Sequence, residues 1–224
     1  MTAQVELRAF QTNIVIGPDD LLVGRNSRFA FTTRPTVDPR SNAINNVRFA
    51  CTGRAGDGPM EDVVFNLTVA HKFRFRAPRN GNFSASAGFM PQGGFALTAR
   101  KPSHFFDAPG TAVFRVILRL EYNVISGNTI NFVDQSIVAE SASARSYSAS
   151  TVGNIESNPL EHVLTGGAGN RVEGRDTVEV RAIYQIHARA NDGAGFNLDF
   201  ASVPEVNGDP GDGLNAPFAL IRIF

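Results

Sequence analysis

Hydrophobic and polar residues alternate with a period of two along most of this chain, and clusters of Gly, Pro, Asn and Asp interrupt the alternation at short intervals. Successive side chains of a strand point to opposite faces, so this pattern predicts half-buried β-strands joined by turns. The run from Val113 to Val124 is the clearest case. Phe114, Val116, Leu118, Leu120, Tyr122 and Val124 share one face, while Arg115, Arg119, Glu121 and Asn123 share the other. Val178, Val180, Ala182, Tyr184, Ile186 and Ala188 alternate in the same way with Glu179, Arg181, Gln185, His187 and Arg189. Antiparallel sheets with one wet face accommodate such strands.

Strands are expected near residues 3–16, 28–33, 44–52, 61–76, 83–89, 93–100, 112–124, 129–150, 176–190, 194–201 and 217–223. Within Asn191–Gly195 the dipeptide Asp192-Gly193 marks a hairpin, because it suits a turn that needs positive φ. Glu156 to Leu164 is the only short helical candidate, ended by Gly166-Gly167, so little helix is expected. The glycine-rich stretch Gly166 to Asn170 lacks the strand, lysine and helix of a phosphate loop and reads as a mobile connection. In the small-residue run Ser136 to Ser150, Ser141 and Ser143 stand in one phase and Ser146, Ser148 and Ser150 in the other. A bulge would switch the phase, and so would a strand that leaves one sheet for the other at a corner. The apolar segment Phe218 to Phe224 must be paired or buried, since an exposed hydrophobic edge invites aggregation.

No linker or repeat divides the chain, so residues 1–224 are expected to form one antiparallel β-sandwich domain, with the jelly roll as a candidate arrangement of about ten strands. Composition sharpens this picture. Phenylalanine is abundant at 18, tryptophan is absent and tyrosine numbers 3, which favours a dry aromatic core over a sugar-stacking platform. The lone Cys51 excludes an intramolecular disulfide and reads as a small buried hydrophobe. Basic and acidic residues cancel at 21 each, so long-range attraction to nucleic acid or an anionic membrane is not advertised. Only Lys72 and Lys101 are lysines, and a nearly all-arginine cation set suits bidentate pairing with carboxylates across strands or between subunits. No signal-peptide-like start and no apolar membrane span is visible, which leaves a cytoplasmic protein or part of an assembled particle.

Candidate chemistry is sparse, and neither a catalytic nor a metal-binding residue is assigned. No Gly-x-Ser-x-Gly elbow is present, and His71, His104, His162 and His187 show no zinc-ligand spacing. His71 and His187 read as solvated members of charged strand faces, while His104 with Asp107 could form an oriented base in a Pro-bounded loop. Asp19-Asp20 reads as a turn, and Glu61-Asp62 should point to opposite faces of a strand rather than share a site. Asn207 to Gly213 concentrates oxygen ligands suited to calcium but lacks EF-hand spacing, so turn chemistry is the expectation. Lys72, Arg74, Arg76 and Arg79 interleave with Phe73 and Phe75, but alternation turns the rings away from the cations, against a nucleic-acid surface. Asn66 and Asn82 match the glycosylation acceptor pattern.

The reading that follows is a non-enzymatic structural or assembly subunit, coat- or particle-forming, that acts as a homo-oligomer through its arginine- and glutamate-bearing strand faces. The alternative is a module that binds a carbohydrate or other ligand at loops 17–28, 53–60, 101–111 and 204–216. A hydrolase stands third, and no cofactor is implied.

Overall fold

A computed structural model describes residues 3–16, 21–38, 45–58, 61–100, 109–127, 129–143, 148–156, 161–203 and 211–224. Every regular element among them is a strand. In the first third these are β1 (Ala3–Leu7), β2 (Gln11–Val15), β3 (Leu21–Val23), β4 (Arg28–Val37), β5 (Val47–Arg54) and β6 (Asp62–Arg76). The middle contributes β7 (Gly81–Ala99), β8 (Thr111–Val124), β9 (Asn131–Ser143) and β10 (Ala149–Ile155). Then come β11 (His162–Val172), β12 (Thr177–Asn191), β13 (Gly195–Phe200), β14 (Gly213–Asn215) and β15 (Ala219–Ile223).

These strands form two antiparallel sheets packed face to face, a β-sandwich. The six-stranded sheet runs β2-β6-β12-β8-β9, with β3 also on β6. The nine-stranded sheet is organised around β7. Along one edge of β7 lie β11 and then β10; along the other lie β15, β14 and β13 in succession. Outside β13 come β5 and β4, and outside β15 comes β1.

The alternating patterns dictate what meets between the sheets. Phe114, Val116, Leu118 and Leu120 of β8 and Val178, Val180, Ala182, Tyr184 and Ile186 of β12 are all buried, as the period of two requires. Phenylalanines dominate the seam: Phe49 stacks on Phe200 at 4.8 Å between ring centroids, and Phe95 meets Phe114 at 4.9 Å. Each fully buried ring stabilises the sandwich by roughly 1.5–3 kcal/mol. Within the apolar C-terminal segment β15 is paired on both sides, by β1 and β7, and Ala219, Ile221 and Ile223 are buried, while Phe224 stays exposed.

Several expectations change. Residues 3–16 are not one strand: β1 belongs to the nine-stranded sheet and β2 to the six-stranded one, so the chain changes sheets between them. The two strands expected at 83–89 and 93–100 are one strand, β7, which runs straight through Pro91. Proline removes a ladder donor, yet Pro91 lies where β7 changes partners from β11 to β10, and there the ladder demands least. The helix candidate at Glu156–Leu164 shows no helix among its described residues: Glu161 lies in a turn, and His162 to Leu164 open β11 on the edge of β7. The glycine stretch belongs to the same strand; a bulge between Gly166 and Asn170 uses the positive φ of Gly167 (90°) and Gly169 (120°). The run 129–150 divides as the serine phases suggested, β9 lying in one sheet and β10 in the other. The Asp192-Gly193 hairpin forms between β12 and β13, with φ of 46° and 77° at its two central residues.

Candidate functional site

Strands β4, β5, β13, β7 and β10 lie side by side, and their outward residues meet in cross-strand rows fixed by register. One row reads Arg28, Arg54, Gly195, Thr98, Ser150. The next reads Ala30, Thr52, Asn197, Ala96, Val152. Small residues at Gly195, Ala96 and Ala30 lower the floor between taller polar side chains, and a groove of about 890 Å³ results. Leu21 and Val23 of β3 form a wall at its β4 end. Toward β10 a second hollow of about 310 Å³ shares Arg54 and Thr98 with the first and adds Arg100, Ser148 and Ser150. The groove therefore runs across the strands, and its rim is open to solvent: Arg28, Thr52, Arg54, Thr98, Arg100, Ser148, Ser150 and Asn197 are all exposed.

Electrostatically the groove is one-sided. Arg28 stands directly opposite Arg54 in the β4–β5 register. Among the described residues neither they nor Arg100 make an ion pair. By contrast Arg48, on the same face of β5, is tied to Asp38 at 3.2 Å and to the Val203 carbonyl at 2.8 Å.

The outer face of the six-stranded sheet is of the opposite kind. Glu179, almost buried, binds Arg181 at 2.7 Å and Arg74 at 3.2 Å. Arg181 reaches on to Glu121, Glu121 to Arg119, and Arg119 to Asp134 at 2.7 Å. Phe10 and Phe132 cap the ends, each ring centroid 4.7 Å from a guanidinium carbon, of Arg74 and Arg119 respectively. Burial alone would raise the Glu179 carboxyl, but hydrogen bonds from Arg181 and Arg74, with their charge, hold it below its ordinary value. On these faces, the expected subunit contacts, Arg119, Arg181, Arg189, Glu121 and Glu179 find partners within the chain.

The remaining candidate residues resolve separately. Cys51 is buried on the core side of β5, and desolvation pushes its thiol up to about 12, which makes it unreactive. His71 is not a solvated face residue. It is in phase with Phe73 and Val69, points into the core with no exposed surface, and burial lowers it to about 4, the Leu214 backbone opposing the shift. Its Nδ1 lies 3.0 Å from the Thr12 hydroxyl, and its ring meets Tyr184 edge-on. Tyr184 in turn donates to the Asn215 carbonyl and accepts from the Met90 amide, a polar seam between the sheets. His187 does face outward, half-buried against Asn66, and burial lowers its pKa with help from Arg115 and Arg189.

Glu61 and Asp62 do point apart. Glu61 accepts from the Asn26 amide at 2.9 Å and fastens the β3–β4 turn, while Asp62 pairs with Arg189. Phe73 is buried and Arg74 is outward, as alternation required. His104, Asp107, Asp19-Asp20 and residues 207–210 of the oxygen-rich loop lie outside the described residues. Within Asn207–Gly213, Asp212 serves a turn, its Oδ2 accepting from the Val203 amide at 2.9 Å. Gly213 is fixed at φ 147°, where a Cβ would fall 2.2 Å from Asn46 Oδ1. Among the described residues no three His, Cys, Asp or Glu side chains come together as a metal site. No helix there is long and apolar enough to cross a membrane.

No family model and no curated protein matches the chain. Among solved structures it is similar to the carbohydrate-binding module TmCBM61, solved in complex with β-1,4-galactotriose. The two share 11% identity over 95% of this chain and 89% of that one, with a TM-score of 0.24. It is also similar to the family 11 carbohydrate-binding module of Clostridium thermocellum, solved with a mixed-linked tetrasaccharide. There the identity is 7% over 95% and 94% of the two chains, with a TM-score of 0.20. Identities this low speak to fold alone, and at these TM-scores the neighbours' ligands carry no argument about this groove.

Proposed function

We propose that this chain is a non-catalytic β-sandwich module whose groove across the outer face of the nine-stranded sheet binds an extended saccharide. The observation that carries this reading is the groove itself: a continuous depression, floored by Gly195 and Ala96, with hydroxyls, an amide and guanidiniums along an open rim. Sugar hydroxyls both donate and accept, and Thr52, Thr98, Ser150 and Asn197 offer both functions in return. A peptide that binds by strand addition needs a free sheet edge, whereas this groove crosses paired strands. The proposed binding surface is a sheet face, to which, among the described residues, the expected loops contribute Leu21, Val23, Ser27, Arg28, Gly53 and Arg54.

Electrophoresis in native gels containing soluble polysaccharides tests the proposal. Retardation by at least one polysaccharide is expected, lost in Ala96→Trp, which fills the floor, with unchanged melting temperature. Unretarded migration in every gel defeats the reading.

A further inference from the structure

We infer that the groove selects acidic saccharides, whose carboxylate or sulfate groups neutralise Arg28, Arg54 and Arg100; this rests on the saccharide reading of the groove. The first support is the register. Like charges directly opposite on neighbouring strands destabilise a sheet, yet Arg28 and Arg54 occupy such a pair on an exposed face. Arg100 joins Arg54 at the smaller hollow, so positive charge is spread along the groove rather than confined to one end. Asp57, whose carboxylate lies beside Gly193 at that end, makes no ion pair with any of the three. Five arginines outside the groove, Arg48, Arg74, Arg119, Arg181 and Arg189, do have carboxylate partners.

The second support is that no stacking surface lines the groove among the described residues. Phe196 lines the groove only from beneath: it is 3% exposed, and its ring sits where a Cβ on Gly53 would be. Phe29 is committed to Phe65 and Phe31. Neutral sugars and single-stranded nucleic acids both draw on exposed aromatic faces for affinity, and among the described residues the groove offers them none. Charge-assisted hydrogen bonds from guanidinium to a planar oxyanion are the strong interaction left, and arginine forms them bidentately.

The test is titration calorimetry of the full chain with four probes of matched length: an oligogalacturonate, a heparin-derived oligosaccharide, a neutral β-1,4-galacto-oligosaccharide and oligothymidylate. An acidic saccharide is expected to bind more than about tenfold tighter than the neutral one, with affinity falling as salt rises. Whichever acidic probe binds tighter identifies carboxylate or sulfate as the group recognised. Arg54→Ala should weaken acidic binding by about tenfold, Arg54→Lys by less, and Arg189→Ala on the opposite sheet not at all. Arg28→Ala repeats the test should Arg54→Ala fold poorly. Neutral binding as tight as acidic overturns the charge selectivity and leaves the saccharide reading standing, whereas no binding of any saccharide overturns both. Oligothymidylate bound as tightly as the acidic saccharides, or affinity unchanged in both arginine variants, also overturns the inference.

Discussion

The two outer faces of this sandwich use the same cation and dispose of it in opposite ways. On the six-stranded sheet, register sets Arg74 opposite Glu179, Arg181 opposite Glu121 and Arg119 opposite Asp134. Arg181 also stands opposite Lys72, but carboxylates on two sides answer its charge. On the nine-stranded sheet, register sets Arg28 opposite Arg54 over a floor of small residues. One face is crossed by a chain of ion pairs; the other is hollow, and among the described residues its Arg28, Arg54 and Arg100 make no ion pair. A net charge of zero conceals this division, since cancellation is complete over the chain and incomplete at the groove.

Acid is expected to separate these environments most strongly. Buried His71 is neutral when folded and titrates near 4, while unfolded it would take up a proton near 6.5. The unfolded state therefore binds more protons, and stability is full above about pH 6.5 and falls by about 3 kcal/mol on acidification to about pH 4. Glu179, depressed by its arginines, adds a further loss as pH falls below its ordinary range. Affinity for a sulfated ligand, by contrast, should hold down to pH 5 while urea midpoints decline. A midpoint flat from pH 7 to 4 would contradict the buried, neutral His71.

Glu179→Gln should cost about 1 to 2 kcal/mol in urea unfolding, because it leaves two guanidiniums without their shared acceptor, an effect discounted for the exposure of Arg74. Saccharide binding should not change. Smallest and opposite in sign, Arg54→Ala should raise stability by up to about 0.5 kcal/mol, since it relieves a like-charge pair. Loss of stability in that variant would mean that Arg54 has a structural role and would erase the contrast between the faces.

Legibility in the sequence followed how local the determining physics is. Strands β8 and β12 could be read because each carries a period of two, and burial follows it at every second residue from Ala112 to Tyr122 and from Val178 to Ala190. β7 was broken in expectation at Pro91, because the tolerance for proline comes from two other strands that meet beside it. β11 was hidden by its glycines, whose bulge makes sense only against β7. His71 could have been placed correctly from its phase with Phe73; its polarity, rather than its position, suggested a wet face. The groove had no signature at all. Its residues come from 21–30, 52–54, 96–100, 148–150 and 193–197, and no one of these segments by itself marks a site.

The arrangement around β7 has a consequence for synthesis. None of the strands β1 to β6 pairs with β7; all five of its neighbours begin at Ala149 or later, and β1 waits for β15. A growing chain therefore displays a long strand with two unsatisfied edges and an apolar face through much of its translation, the kind of nascent surface that chaperones engage and that, left alone, self-associates. β7 cannot complete its pairing before those later stretches of polypeptide exist to flank it on both edges, and only with β10 and β13 in place are Thr98, Ser150 and Arg54 brought into one row.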